Sequence, residues 1–250
     1  MALSITQTAA LGDIIKPGMR VASMGYPDII APIDMIEDIL GNAFEIKYRS
    51  DSEVICKRHG LPQRRIPDAE SYFTLLGCKL DVYDVVQERG CEILCDLNER
   101  LDPALKAFNY DIVLDVGTAE HVFNIGQAMK NMASMVKLGG YIIHENPFCM
   151  GNHGFYGLNP TFFADFYAVN GFELLECKLV NRQGDAYSVP PTKRFRAVGE
   201  EMNVFAMARR VVIQTFVWPV QSKYAGLIPA AKGFGRTRRQ RKGEGDLANG

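Results

Sequence analysis

Two histidines stand where side-chain chemistry is expected. His153 lies in the glycine- and asparagine-rich segment 151–155 (GNHGF), and loop histidines of this kind are functional more often than buried ones. An imidazole titrates near neutral pH, so His153 is predicted to act as a general base. His121 directly follows Glu120 after an apolar run and is the second catalytic candidate. For both His121 and Glu120, hydrogen bonding at a helix start is the structural alternative to a role in substrate binding or catalysis.

Acidic residues recur where the apolar runs end. Asp84, Asp96 and Asp115 each lie near or just past the end of a run that is predicted to be a strand. The carboxyl ends of parallel strands meet at one ligand-binding edge. A carboxylate at the second strand can accept two hydrogen bonds from ribose hydroxyls. Asp84 suits that role, with Asp81 as the alternative if the strand ends earlier. Gly25 closes the first run, where a missing side chain lets the backbone approach a ligand.

Alternating strand-like and helix-like segments supply the elements that position these residues, a pattern typical of a parallel sheet covered by helices on both faces. Strands are predicted over residues 19–25, 80–86, 91–94, 111–116, 141–144, 172–180 and 204–213. Helices are predicted over residues 32–40, 67–76, 127–137 and 160–170, with stop signals at Gly41-Asn42, Gly77, Gly139-Gly140 and Gly171. Residues 47–67 are polar and contain prolines, and no secondary structure is predicted for them.

The composition is that of a globular protein with a sizeable core: 47% of the 250 residues are hydrophobic and 23% are charged. A formal charge of −1 offers no general attraction to nucleic acid, so a nucleic-acid partner is not expected. No apolar run approaches the roughly 18–20 residues that span a bilayer, and no secretion signal is recognised. Six scattered cysteines without a C-x-x-C pair indicate reduced thiols. The predicted location is therefore the cytoplasm.

The chain is predicted to hold one domain over residues 1–228 and a tail over residues 229–250. The tail carries six basic side chains against Glu244 and Asp246. It lacks apolar periodicity, so disorder is the expected state, with a phosphate- or RNA-tethering tail as the alternative. The set His144, Cys149 and His153 has ligand types that suit zinc, but its spacing matches no familiar site. No metal is therefore predicted.

Residues 110–147 (YDIVLDVGTAEHVFN to HENP) resemble the unit between the fourth and fifth strands of class I S-adenosylmethionine-dependent methyltransferases. In that family an aspartate opens the fourth strand, a small-residue turn leads to Glu-His, and two glycines precede the fifth strand. The matching residues here are Asp111, Gly117, Glu120, His121, Gly139 and Gly140. The segment before this unit fits as well, and residues 152–173 resemble a branch of bacterial methyltransferases associated with surface glycans and small metabolites.

The resemblance covers about residues 17–180 and implies a doubly wound, Rossmann-like α/β fold. Its mostly parallel sheet has seven strands in the order 3-2-1-4-5-7-6. The implied cofactor is S-adenosylmethionine, and the implied reaction methylates an oxygen or nitrogen of a small molecule or sugar. The expected partners are this acceptor and, as an open possibility, a second copy of the chain.

The resemblance also distributes roles among the candidate residues. His153 and His121 are expected to be catalytic. Cofactor contacts are expected from Gly25, Tyr26, Asp84, Val85, Asp96, Leu97, Asp115 and Gly117. Substrate contacts are expected from Glu120, Asn152, Phe155 and Tyr156.

The first loop departs from the family pattern. Methyltransferases usually have G-x-G-x-G there, whereas this chain has Gly25 followed by Tyr26-Pro27-Asp28. Proline has no N–H and a fixed φ, so the loop is predicted to make fewer backbone contacts to a ligand. The alternative function is therefore a methyltransferase fold without catalysis that serves in binding or assembly. A dinucleotide-binding oxidoreductase ranks last, because MGYPDI does not supply G-x-G-x-x-G.

Overall fold

An eight-stranded mixed sheet organises the molecule. The computed structural model describes residues 1–41, 45–63, 65–102, 109–196 and 200–227. The strands within these ranges are β1 (Ala2–Leu3), β2 (Arg20–Met24), β3 (Asp28–Ile29), β4 (Lys79–Asp84), β5 (Ile93–Leu94), β6 (Tyr110–Asp115), β7 (Val136–Pro147), β8 (Phe172–Val180), β9 (Ala186–Ser188) and β10 (Asn203–Arg210). The large sheet has the order β5-β4-β2-β6-β7-β10-β8-β9.

The first five strands of this order run parallel, and the rest of the sheet is antiparallel. β10 pairs antiparallel with both β7 and β8, and β9 pairs antiparallel with β8. Numbered along the chain without β1, β3 and β9, the seven remaining strands stand in the order 3-2-1-4-5-7-6. The doubly wound α/β class predicted from the sequence is confirmed. The sheet has eight strands rather than the predicted seven, because β9 adds an edge strand beside β8.

Helices cover both faces of the sheet. Their bounds are α1 (Ile5–Ile14), α2 (Ile33–Leu40), α3 (Ser52–His59), α4 (Ala69–Leu75), α5 (Ile125–Met135) and α6 (Pro160–Val169), with 3₁₀ turns at Ala119–His121 and Ser222–Leu227. Alternate strand residues face opposite sides. Val113 packs in the cluster that contains α5 and α6, whereas Ile112 and Leu114 pack in the cluster with α1, α2 and α4. Each face therefore has its own apolar core.

The β6–β7 connection differs from its prediction. The helix was expected over residues 127–137 and the strand over 141–144, but α5 ends at Met135 and β7 begins at Val136. Gly140 lies within β7, where a β-carbon would come within 2.9 Å of the Tyr110 and Asp111 carbonyl oxygens. Gly140 therefore permits close pairing of β7 with β6, and Gly139 and Gly140 do not end the helix.

The N-terminal segment (residues 1–4) returns to the edge of the sheet where the parallel strands end. β1 pairs in parallel with β3, the short strand after the first loop. The Ala2 N–H donates to the Val116 carbonyl at 3.2 Å. This segment therefore bridges the ends of β2 and β6. Residues 229–250 and the predicted boundary at 228 lie outside the described residues, so the division into one domain and a tail stays a prediction.

Candidate functional site

The first loop holds a side chain of the N-terminal segment. Gly25 has a φ of +84°, a conformation that favours glycine, and its N–H donates to the Tyr83 carbonyl at 2.7 Å. A β-carbon built on Gly25 would collide with the Met1 thioether. The Met1 Sδ atom also lies 3.1 Å from Thr118 Oγ1, at the end of β6. Gly25 therefore forms a cradle that accommodates a methionine side chain between β2 and β6.

Backbone donors of the first loop are already engaged within the chain. The Asp28 N–H donates to the Met1 carbonyl at 3.1 Å, and the Ile30 N–H donates to the Leu3 carbonyl at 3.1 Å. Pro27 has no N–H to offer. A ligand at this loop would therefore meet few free backbone donors unless the N-terminal segment moved.

The Glu120 carboxylate is buried in the 3₁₀ turn after β6, with its side chain 1% exposed. Its Oε2 accepts a hydrogen bond from Asn146 Nδ2 at 2.9 Å. Its Oε1 has no hydrogen-bond partner among the described residues. That oxygen lies 3.8 Å from His121 Nε2 and 3.7 Å from His153 Nε2. We call Glu120, His121 and His153 the Glu-His cluster.

Burial disfavours charge in the Glu-His cluster. Desolvation raises the pKa of Glu120 to about 7, and the charge of Asp115 adds to this rise, while the hydrogen bond from Asn146 opposes it. Desolvation lowers the pKa of His121, and the neighbouring His153 lowers it further. The cluster therefore combines a neutral imidazole with a carboxyl group that ionises only near neutral pH.

Asp115 is fully buried below the Glu-His cluster. Its Oδ2 lies 2.8 Å from His144 Nδ1 and accepts from Asn146 Nδ2 at 2.9 Å. Its Oδ1 accepts from the Thr118 and Ala119 N–H groups at 2.9 and 3.1 Å. The Asp115 side chain is fully buried, and all four of these contacts are with the protein itself. The prediction that Asp115 contacts the cofactor is therefore corrected. Asp115 instead orients Asn146 and the turn that carries Glu120.

His144 belongs to the same buried network. Its Nε2 lies 2.5 Å from Tyr167 Oη, so both ring nitrogens have protein partners. Cys149 Sγ lies 3.2 Å from the Glu200 carbonyl oxygen. The spacing of His144, Cys149 and His153 therefore does not correspond to a shared ligand set, because His144 has no nitrogen to offer a metal.

The loop that carries His153 is held against the Glu120 turn by its backbone. The Phe155 N–H donates to the Glu120 carbonyl at 2.9 Å. A β-carbon on Gly154 would lie 2.9 Å from that same oxygen. Asn152, with φ +57°, is the one described non-glycine residue with a positive φ, and such strain clusters where surrounding structure fixes a functional geometry. Backbone packing therefore places His153 beside Glu120.

A cavity of about 630 Å³ opens beside the Glu-His cluster, a volume that suits a small molecule. Five residues predicted from the sequence line it: Gly117, Glu120, His121, Asn152 and His153. Sequence reasoning missed other residues of its wall, among them Met1, Ser4, Arg58, His59, Glu145 and Arg182. Glu145 follows a predicted strand directly, a signal that could have found it.

The ribose candidate lies at the carboxyl end of β4. Asp84 is partly exposed, and its Oδ1 accepts a long hydrogen bond of 3.3 Å from the Val86 N–H. Asp81 instead accepts from Arg20 Nη2 and Tyr110 Oη, both at 2.9 Å. The Asp81 carboxylate is therefore already hydrogen-bonded within the protein, and its alternative role as the ribose-binding residue is not supported.

Three other predicted cofactor residues follow β4 and β5. Val85 is exposed beside Asp84. Asp96 is exposed, and its Oδ1 accepts from the N–H and Nδ2 of Asn98 at 2.9 Å. Leu97 is buried in the core, so its backbone is the part left for the predicted cofactor contact.

The three aromatic residues that were predicted to contact the cofactor or substrate also differ in their burial. Tyr26 is buried, and its Oη donates to Asp68 Oδ2 at 2.6 Å, so its side chain stabilises the loop and leaves only the backbone at the edge. Phe155 is exposed beside the loop of His153. Tyr156 donates from Oη to the Phe123 carbonyl at 2.7 Å. Neither aromatic ring is among the residues that line the cavity.

Comparisons with known proteins found similarity among solved structures alone. No protein-family model matches the chain, and no curated protein matches it by sequence. TehB from Haemophilus influenzae is 14% identical with a TM-score of 0.44, over 81% of this chain and 61% of TehB. The 1,6-didemethyltoxoflavin-N1-methyltransferase of Burkholderia thailandensis, solved with S-adenosylhomocysteine, is 14% identical with a TM-score of 0.43, over 82% and 78% of the two chains.

A third similar structure is the N-methyltransferase NodS from Bradyrhizobium japonicum WM9. It is 14% identical with a TM-score of 0.42, over 82% of this chain and 93% of NodS. The chain has a Rossmann-like α/β methyltransferase fold, and this assignment rests on the strand order of its own sheet. Among the described residues no helix is long and apolar enough to cross a membrane.

Proposed function

We propose that the protein is an S-adenosylmethionine-dependent methyltransferase that acts on an oxygen or nitrogen of a small molecule or sugar. One observation carries the proposal. The same cavity is lined by Met1, which occupies the Gly25 cradle, and by the Glu-His cluster. A site shaped for a methionine side chain thus adjoins a site shaped for proton transfer, at the edge where this fold binds ligands.

The residues present fit the cofactor. The Gly25 cradle already accepts a thioether side chain, so the methionine portion of S-adenosylmethionine fits there in place of Met1. In this proposal Asp84 accepts hydrogen bonds from the ribose, with Val85, Asp96 and the backbone of Leu97 along the adenosine. When bound, S-adenosylmethionine supplies an electrophilic methyl group on sulfur.

The acceptor side is proposed to involve the cavity wall. Asn152 and Glu120 provide polar atoms for the acceptor, and Phe155 and Tyr156 provide aromatic surface at the entrance. His153 Nε2 accepts the proton that the acceptor gives up, with His121 as its neighbour in the cluster. The exposed cations of Arg58 and Arg182 at the cavity wall favour acceptors with an anionic group.

Calorimetry with S-adenosylhomocysteine tests the proposal. We expect binding by the intact chain and at least about tenfold weaker binding by Asp84→Ala, because each hydrogen bond to a charged group contributes about 1.5–3 kcal/mol. Asp13→Ala is the matched control, since Asp13 is exposed on α1. Absence of binding both by the intact chain and by a variant with a loosened N-terminal segment would reject the methyltransferase assignment.

A second candidate function is a methyltransferase fold without catalysis that serves in binding or assembly. The closed first loop favours it, because the Asp28 and Ile30 N–H groups are already bonded to the N-terminal segment. Binding of S-adenosylhomocysteine without turnover on a panel of sugars and metabolites, together with a copurifying protein, would support this function over the first.

We also propose that the protein works in a reducing compartment such as the cytoplasm. All six cysteines lie in the described part of the chain, and none forms a disulfide there. Self-association stays a prediction, which sedimentation of the full chain would test.

A further inference from the structure

We infer that Glu120, His121 and His153 form a binding site for one divalent first-row transition-metal ion. Glu120 Oε1 and one ring nitrogen of each histidine all lie within 4.8 Å of one another. Two imidazole nitrogens and one carboxylate oxygen are a donor set that such ions take in proteins. This inference replaces the sequence-based expectation that no metal is held.

The orphaned oxygen of Glu120 is an independent observation in favour of the ion. A buried carboxylate oxygen without a donor loses the hydrogen bonds that water would give it. Oε1 is in this position, whereas Oε2 is held by Asn146 Nδ2 at 2.9 Å. Metal-binding carboxylates are commonly oriented in this way by a second hydrogen bond. A cation between Oε1 and the two imidazoles would supply the missing partner.

The buried support of Glu120 extends two residues further. Asn146 Nδ2 also donates to Asp115 Oδ2 at 2.9 Å, and that oxygen lies 2.8 Å from His144 Nδ1. This chain of contacts fixes the direction of the Glu120 carboxylate from below. The backbone hydrogen bond from Phe155 to Glu120 fixes the loop of His153 from above.

The two distances to Glu120 require only a small closure. Bonds of about 2.0–2.2 Å to an ion place neighbouring ligand atoms about 3.0–3.6 Å apart. Glu120 Oε1 lies 3.8 Å from His121 Nε2 and 3.7 Å from His153 Nε2. Both histidine side chains are about half exposed and can rotate by the few tenths of an ångström that these two distances need. The two ring nitrogens lie within 4.8 Å of each other, so the same rotations must bring them closer by up to roughly 1 Å. Mg²⁺ fits less well, because it prefers oxygen ligands.

Three protein ligands leave coordination positions open toward the cavity. The role of the ion rests on the proposed function: it would bind a hydroxyl-bearing acceptor and lower the pKa of that hydroxyl, whose proton would pass to solvent in the cavity. In this metal-bound form His153 would be a ligand, and the base role proposed above belongs to the metal-free form. The binding of the ion does not depend on methyl transfer and is measured without the cofactor.

A cobalt titration of the chelator-treated full chain tests the site. We expect one equivalent of Co²⁺ to bind with visible absorption bands of nitrogen and oxygen coordination, and Zn²⁺ to displace it. Glu120→Gln, which preserves shape, should weaken binding by about a hundredfold or more. Gly154→Ala should weaken it as well, because its β-carbon would press on the Glu120 backbone and move His153.

Two control variants separate this site from adventitious binding. Gly151→Ala lies in the same loop, where a β-carbon meets no atom within 4 Å, and Cys149→Ser removes a nearby exposed thiol. Both should bind Co²⁺ like the wild type. Equal binding by wild type and Glu120→Gln, or loss of binding in Cys149→Ser, would overturn the inference. S-adenosylhomocysteine binding measured with chelator present tests the proposed function separately, so the two failures are distinguishable.

Discussion

The Asp115 Oδ2 atom lies 2.8 Å from His144 Nδ1, and both side chains are fully buried. Burial by itself raises the pKa of Asp115, but the contacts with His144 and Asn146 outweigh this and lower it. The carboxylate is therefore ionised in the interior and depends on its partners. Because Asn146 also binds Glu120, this pair connects the core of the sheet to the Glu-His cluster.

Replacement of Asp115 by asparagine should destabilise the fold. Asp115→Asn keeps the size of the side chain but replaces one carboxylate oxygen by an NH₂ group. That group cannot accept the hydrogen bonds that Asn146 and the N–H groups of Thr118 and Ala119 donate to Asp115. We expect the free energy of unfolding to fall by about 3 kcal/mol, as when one partner of a buried pair is removed. Urea denaturation followed by circular dichroism measures this. Asp13→Asn on the exposed face of α1 is the control, and equal midpoints for the two variants would contradict the structural role.

Much of the fold could be predicted because its signals are local. The strand over residues 172–180 was predicted with its observed bounds, since a glycine precedes an apolar run there. Helix α1 was missed because its apolar residues form no clear stripe. A local signal did exist: Ser4 and Gln7 form a capping box, in which Gln7 N–H donates to Ser4 Oγ at 3.1 Å.

The candidate site was predictable where its residues follow neighbouring strands. Glu120 and His121 follow β6, Asn152 and His153 follow β7, and these strands pair in parallel. The contact of Met1 with Thr118 joins residues 117 positions apart and leaves no local pattern. The burial of Asp115 was missed for a related reason, because a carboxylate at a strand end looks the same in sequence whether it faces a ligand or a buried histidine.

Gly140 should be sensitive to the smallest enlargement. A β-carbon there would lie 2.9 Å from the Tyr110 and Asp111 carbonyl oxygens of β6, and these backbone atoms cannot rotate away. Gly140→Ala is expected to lower the free energy of unfolding by about 1–3 kcal/mol through overpacking. Gly151→Ala, where the space is open, should change it little. Thermal unfolding of both variants checks this, and similar melting temperatures would argue against the close pairing.

Asp81 should make stability depend on acid pH. Burial raises its pKa, but hydrogen bonds from Arg20, Tyr110 and Lys79 outweigh this and lower it below the usual value. The ionised form therefore stabilises the fold above the pKa of the unfolded chain, and this contribution is lost as the pH falls through the folded pKa.

The corresponding measurement is urea unfolding of wild type and Asp81→Asn from pH 7 down to pH 3. The variant should be about 1 kcal/mol less stable at neutral pH, and the difference should shrink below about pH 4. Asp38→Asn, at an exposed position of α2, should show no such trend. A difference that stays constant into acid would refute the assignment.

Loosening the N-terminal segment should strengthen cofactor binding. Met1 occupies the Gly25 cradle, and the buried side chain of Leu3 anchors the segment in the core. Leu3→Ala removes about 2–5 kcal/mol of packing and shifts the population toward a vacated cradle. We expect the Kd for S-adenosylhomocysteine to fall by about tenfold, because apparent affinity scales with the fraction of competent molecules.

Leu11→Ala is the matched control for this experiment, because Leu11 is equally buried in the same apolar cluster but lies on α1. It should lose comparable stability and keep the wild-type Kd. If calorimetry gives one Kd for wild type, Leu3→Ala and Leu11→Ala, the N-terminal segment does not compete with the cofactor. A lower Kd in Leu3→Ala alone would show that the Gly25 cradle serves both the segment and the ligand, since only that variant releases Met1.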